Sequence, residues 1–256
     1  HFKYLGLTHK KNCIKKNRLC RGLTFSIRLF LMNQLEKELL QIKEKVHEMW
    51  DLVTFQVTGG KEALVNADKE LARKIMKRGK KVNAYDIKID RMCENLFALF
   101  NPVAVDLRWI LAILKINANL ERIGDTAEGI ARLVKEADTP FAAELLQTTQ
   151  VLEMYDAAEA MLVDVRQALA EEDTDLAKAL IKRDKVLDKI NGKADKALVS
   201  YMQAHPEDIA QALKIANIIR KLERIGDQIT NIAEEVVFYV DAKVVKHRQK
   251  NKKDKN

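Results

Sequence analysis

Apolar residues recur at three- and four-residue spacing along most of the chain. The first clear stripe, Leu35, Leu39, Ile42, Val46, Met49 and Val53, is that of an amphipathic helix. It is expected to end near Thr58-Gly59-Gly60, where successive glycines weaken helix propensity. A second helix is expected over about 68–100, broken by Asn101-Pro102, and a third from near Asp106 to about residue 135. Asp138-Thr139-Pro140 then combines a cap-type residue with a proline suited to a first helical turn. Further helices are expected at about 141–171, 174–203 and 207–240, with Asp173 and His205-Pro206-Glu207-Asp208 at the joints.

These two runs of three helices repeat in wording as well as in plan. "ADKELARKIMKR" at 67–78 matches "EDTDLAKALIKR" at 172–183, and "LERIGDTAEGIA" at 120–131 matches "LERIGDQITNIA" at 222–233. A duplicated unit explains the repetition. The expected fold is all-α: two tandem, internally repeated three-helix bundles at 32–138 and 139–241, antiparallel within each bundle because the loops are short. The middle segments differ in one respect. The first half carries about seven extra residues between Gly79 and Tyr85.

Composition agrees with long helices, since 256 residues include only 9 Gly and 3 Pro, with 47% apolar and 32% charged. The net charge of +8 suggests nucleic acid until it is located. Residues 1–31 hold eight basic side chains and no acid, which leaves 37 basic against 37 acidic residues in the remainder. A basic face for a phosphate backbone is therefore not expected. Residues 1–31 are read as a basic extension, non-native or disordered, with Met32 as the natural start, and 242–256 as a basic, solvated tail. "GLTFSIRLFL" is broken by Arg28 and does not read as a secretory signal, and no apolar run is long enough to span a membrane. Cys13, Cys20 and Cys93 form no CxxC pair, which argues against a disulfide framework or thiolate zinc site and for a reducing, cytoplasmic setting.

The candidate chemistry lies in paired acids. At about 100° per residue, Glu121 and Asp125 project within about 40° of each other, as do Glu223 and Asp227, and both pairs lie off the core stripe. The middle helix of each half offers a partner pair, Asp86 with Asp90 and Asp184 with Asp188, bordering its apolar stripe. Each half thus has four carboxylates that can converge on one groove. Mutual repulsion there, roughly 1–4 kcal/mol per close pair, calls for positive charge. Arg122, Arg224, Arg183 and Lys185 are the plain candidates, because a charged helix face is ordinarily solvated. Recurrence of both pairs in both halves favours a metal. Oxygen-only donors suit hard cations such as magnesium, manganese, calcium or iron.

Together with "PVAVDLRWILAILKINANLERIGDTAEGIA" and the second "KLERIGDQITNIAE", these words closely resemble the PhoU family, bacterial accessory regulators of phosphate uptake. The resemblance covers about 32–240. It implies a cytoplasmic homodimer of three-helix bundles whose E(D)xxxD pairs hold metal clusters, here at Asp86, Asp90, Glu121, Asp125, Asp184, Asp188, Glu223 and Asp227. Iron is the first candidate metal, with zinc, manganese or magnesium as the others. It also implies negative regulation of the phosphate ABC transporter, through its ATPase subunit, and of the phosphate-sensing histidine kinase. Nucleic acid is not an implied partner, and membrane association is implied only through those partners.

Two other readings stand beside it. A carboxylate-bridged metalloenzyme of the di-iron type uses ExxH spacing, and none of His1, His9, His47, His205 and His247 follows a motif acid by three residues. A metal-free helical scaffold leaves the acids as solvated charge. "TGGKEA" at 58–63 lacks the spacing of a phosphate loop and reads as a helix break. Asp106 and Arg108 read most simply as a helix cap and a surface charge, with a partner contact as the alternative, and "DLR" is not duplicated in the second half. No catalytic residue is assigned.

Overall fold

The structure, a computed structural model, describes residues 6–244, with side chains from Gln34 onward. The ends of the two basic segments, 1–5 and 245–256, lie outside the described residues. The first unit consists of α1 (Gly6–Asn66), α2 (Lys69–Phe100) and α3 (Ala104–Lys135). The second consists of α4 (Ala143–Thr149), α5 (Val151–Glu171), α6 (Thr174–Arg183), α7 (Lys185–Ala204) and α8 (Ile209–Asp241), with a single 3₁₀ turn over Pro206–Asp208. No strand occurs among the described residues.

Several joints sit where the sequence places them. Asp68 caps α2 by accepting the Leu71 N–H at 2.9 Å, and Asp173 caps α6 by accepting from Asp175 and Leu176, both at 2.9 Å. Asn101 ends α2 in the left-handed conformation at φ 46°.

Other joints differ, each for a local reason. Helix α1 does not stop at Gly59-Gly60 but runs to Asn66, because the bare backbone there lies close to its neighbours. A Cβ at Gly59 would stand 3.3 Å from Ile75 Cδ1, and one at Gly60 would stand 3.1 Å from the Tyr155 hydroxyl. Packing outweighs a propensity cost of about 1 kcal/mol per glycine. At its other end α1 extends upstream of Met32 to Gly6, so no break separates residues 6–31 from the helix. Pro140 lies in the connection before α4 rather than in a helical turn. The expected 141–171 helix is interrupted at Gln150, which is left-handed at φ 55°, and the expected 174–203 helix is interrupted at Asp184. The N-cap of α3 is Val103, with Asp106 inside the first turn and without a capping bond.

The chain runs up, down and up through α1, α2 and α3. The two units share one apolar core rather than sitting as separate beads. Helix α3 packs most extensively against α8. They run antiparallel: Arg108 Nε donates to the Tyr239 carbonyl at 3.3 Å, Lys115 pairs with the buried Glu235 at 3.0 Å, and Lys214 Nζ donates to the Glu136 carbonyl at 3.1 Å. Arg108 is therefore part of the joint between the units, not a plain surface charge. Lys61 with Asp156 and Arg166 with Asp51 tie α1 to α5 in the same way.

Candidate functional site

Asp86 and Asp90 lie one turn apart on α2, and Glu121 and Asp125 one turn apart on α3. The helices bring both pairs to one groove. Burial raises the pKa of the Asp86 carboxyl, and the neighbouring Asp90 charge adds to the rise. Burial likewise raises that of Glu121, followed by the charge of Asp125, a hydrogen bond with Asp125 and the charge of Asp86, with Arg122 opposing. An unexpected residue joins the two helices. The Asn117 amide on α3, fully buried, donates to Asp86 Oδ1 at 2.7 Å, Asp90 Oδ1 at 3.0 Å and the Asp86 carbonyl at 3.0 Å. An amide has two hydrogens, so this one is fully spent on the acid pair, while its own Oδ1 has no hydrogen-bond partner among the described residues.

The second unit repeats the acids without the clamp. In register with the ERIGD words, Asn117 corresponds to Ile219, which is buried and apolar. Asp184 sits at the interruption between α6 and α7, its N–H reaching the Leu180 carbonyl at a long 3.3 Å. Its carboxyl is pushed up to about 7, first by burial and then by Asp188, Asp227 and Glu223. Glu223 and Asp227 are raised as well, again by burial first and by neighbouring acids second, with Arg224 opposing. Gly226 of the second ERIGD word admits this approach. A Cβ there would stand 2.6 Å from Asp184 Oδ1 and inside van der Waals distance of Leu187 Cδ1.

The seven extra residues expected in the first half are not an insertion: α2 (Lys69–Phe100) and α6 with α7 (Thr174–Ala204) match end to end, so Asp86 and Asp90 stand about two turns further along their helix than Asp184 and Asp188 do.

The acids share a groove without closing on one point. Among the described residues, no three Asp, Glu, His or Cys side chains are grouped tightly enough to hold a metal ion as they stand. The basic side chains suggested by the sequence do not fill the gap. Arg183 pairs with Asp164 instead, and among the described residues none of the eight acids has a Lys or Arg ion-pair partner. The donor set fits a hard cation: it offers oxygen atoms only, and five of the eight carboxyls, Asp86, Glu121, Asp184, Glu223 and Asp227, are raised in pKa by burial and by neighbouring acids. Cys93 is near Asp90 but buried, with its thiol pushed up to about 12, and adds no thiolate.

A pH response follows from Asp184. A carboxyl that holds its proton more tightly folded than unfolded stabilises the fold fully below its unfolded value near 3.8. That contribution is lost as pH rises through about 7. Chelator-treated protein is therefore expected to lose thermal stability across this window. At neutral pH Asp184→Asn should raise Tm by about 2–4 °C, the response of a domain this size to about 1 kcal/mol. Melting curves of both proteins across the window check it, and parallel Tm profiles would count against it.

Among the residues that the sequence reading missed, Asn117 carries the clearest signal. It is a polar residue on a buried stripe, one turn before Glu121, where the repeat has isoleucine.

Comparison with known proteins covers both units. The PhoU domain model matches residues 46–134 and again 151–236. The phosphate-specific transport system accessory protein PhoU homolog of Pseudomonas putida is 34% identical over 221 residues, covering 85% of this chain and 84% of that protein. The Escherichia coli K12 accessory protein PhoU is 32% identical over 217 residues, covering 85% and 89%. The crystal structure of PhoU from Pseudomonas aeruginosa superposes with a TM-score of 0.75 at 32% identity, covering 81% of this chain and 99% of that one. The phosphate transport system regulatory protein PhoU from Streptococcus pneumoniae gives 0.74 at 27%, covering 82% and 99%. With both three-helix units matched and this identity running along most of its length, the chain belongs to the PhoU family.

Proposed function

We propose that this protein is an accessory regulator of phosphate transport, a non-enzymatic brake on the phosphate ABC transporter and on phosphate-starvation signalling. It acts through the transporter's ATPase subunit and the phosphate-sensing histidine kinase when phosphate is plentiful, in the cytoplasm and as a homodimer. The observation that carries this reading is the family match over both units, to relatives named as accessory proteins of the phosphate-specific transport system. No helix among the described residues is long and apolar enough to cross a membrane, which fits a protein that reaches the membrane through partners.

Metal belongs to the same proposal. Asp86, Asp90, Glu121 and Asp125 would hold ions on the first unit, and Asp184, Asp188, Glu223 and Asp227 on the second, with iron first and zinc, manganese or magnesium next. The ion supplies positive charge that ties two helices together and resets the surface offered to partners. The histidines with described side chains favour this over an oxidase. His205 stacks on Tyr201 at 4.6 Å between ring centroids, and His47 lies against Arg166 at 3.4 Å, both engaged away from the acid groups.

Capture of the protein from native cells at high and low phosphate, with metal measured in the same sample, tests the reading. Recovery of the transporter ATPase and the sensor kinase at high phosphate is the expected outcome. Absence of both, with normal phosphate control in a deletion strain, overturns it.

A further inference from the structure

A cavity of about 140 Å³ lies at the joint between the two units. Three helices and the end of α5 build it: Val46 and Trp50 from α1, Trp109 and Ile113 from α3, Leu169 from α5, and Tyr239 from α8. Three aromatic rings thus face one space. Trp50 and Trp109 are almost fully buried, and the Trp50 indole N–H has no acceptor among the described residues.

Charge lies around this apolar chamber. Lys43 places its ammonium 5.5 Å from the centre of the Trp109 ring. Arg166 is held at 2.7 Å by the exposed Asp51 and lies beside His47. The acid in the lining, Glu172, already accepts a 2.6 Å hydrogen bond from the Tyr239 hydroxyl, whose carbonyl in turn receives Arg108. Lys43 makes no ion pair among the described residues, and Arg166 is paired only with a solvent-exposed partner that an incoming anion can replace. A cavity of ~150 Å³ accommodates a molecule the size of benzene.

We propose that this cavity is a binding site for a small amphiphilic monoanion, with a compact, ring-sized apolar body between the aromatic walls and one acidic group at Lys43 and Arg166. The site is separate from the carboxylate grooves and does not depend on metal. Its position gives it a consequence. Ligand bound there touches α1, α3, α5 and α8 together and favours the arrangement of the two units that it binds more tightly, to the extent of that difference in affinity.

The protein contains its own reporter, because its two tryptophans, Trp50 and Trp109, both line the cavity. Titration of the full chain with benzoate as probe, followed by tryptophan emission, is expected to give a saturable change. The midpoint should be about tenfold lower than for benzyl alcohol, which lacks the charge, or for inorganic phosphate, which lacks the ring. Arg166→Met and Lys43→Met, both at the rim, should each raise the benzoate midpoint about fivefold or more with helical content unchanged. Leu169→Phe, which fills the chamber, should remove saturation. A linear, unsaturable response to benzoate overturns the proposal. So does phosphate binding as tightly as benzoate, or a wild-type benzoate midpoint in Arg166→Met and Leu169→Phe.

Discussion

Replacing Asp184, Asp188, Glu223 and Asp227 together by their amides is expected to abolish metal uptake by the second unit, whereas replacing Glu223 and Asp227 alone only weakens it. In the proposed site the ERIGD acids are half of the donor set. Burial and mutual repulsion hold Asp184 near pKa 7, with contributions from acids on two different helices. Outer-shell substitutions at metal sites cost about 10–100-fold in affinity, so loss of two direct carboxylates should exceed about 100-fold. Groups acting as a unit do not add. The second unit should also fill at lower metal concentration than the first. In the first unit Asn117 already satisfies Asp86 and Asp90, and an entering cation must displace those bonds, while Ile219 offers nothing to displace. Asn117→Leu should narrow the difference. Calorimetric titration of iron or manganese into chelator-treated protein reads all of this. Equal, negligible uptake by wild type and the fourfold variant would remove the site.

Two glycine substitutions should move stability in opposite directions. Gly226→Ala puts a methyl group into space held by Asp184 Oδ1 and Leu187 Cδ1. Overpacking of this kind costs about 1–3 kcal/mol, against a helix-propensity gain of about 1 kcal/mol. A net loss of up to about 2 kcal/mol is expected, together with a shift of Asp184 that weakens metal binding. Gly192→Ala meets no atom within 4 Å on an exposed part of α7, so only the propensity gain of about 1 kcal/mol remains. Denaturant melts of the two variants at fixed metal content provide the measurement. Stabilisation by Gly226→Ala equal to that by Gly192→Ala would show that the close approach around Asp184 does not constrain the helices.

The two cases show which features were legible in the chain. The spacing of Glu121 with Asp125 and of Asp184 with Asp188 is a property of one helix at a time, so periodicity alone placed those acids side by side. Their sharing of a groove was inferred from the edge of each apolar stripe, and the field of Asp86 at Glu121 supports it. Asn117 was missed because a lone amide on an apolar stripe has no distinctive spacing. Its role depends on a partner helix 27 and 31 residues earlier. The helix break expected at Gly59-Gly60 failed for a similar reason. Propensity weighs the glycine itself, whereas Ile75 and Tyr155 supply the contacts that use its missing side chain.

The sequence by itself thus determined the all-helical character, the duplicated three-helix plan, the caps at Asp68 and Asp173, and the i, i+4 acid pairs. All of these are set by residues within a few positions of one another. Tertiary structure alone decided that α3 and α8 fuse the units into one core, that Arg108 serves their joint, that Asn117 clamps only the first acid pair, and that two tryptophans from different helices wall one cavity. Each depends on distances between residues remote in the chain. Those distances are set by how whole helix faces pack, and local periodicity does not encode them.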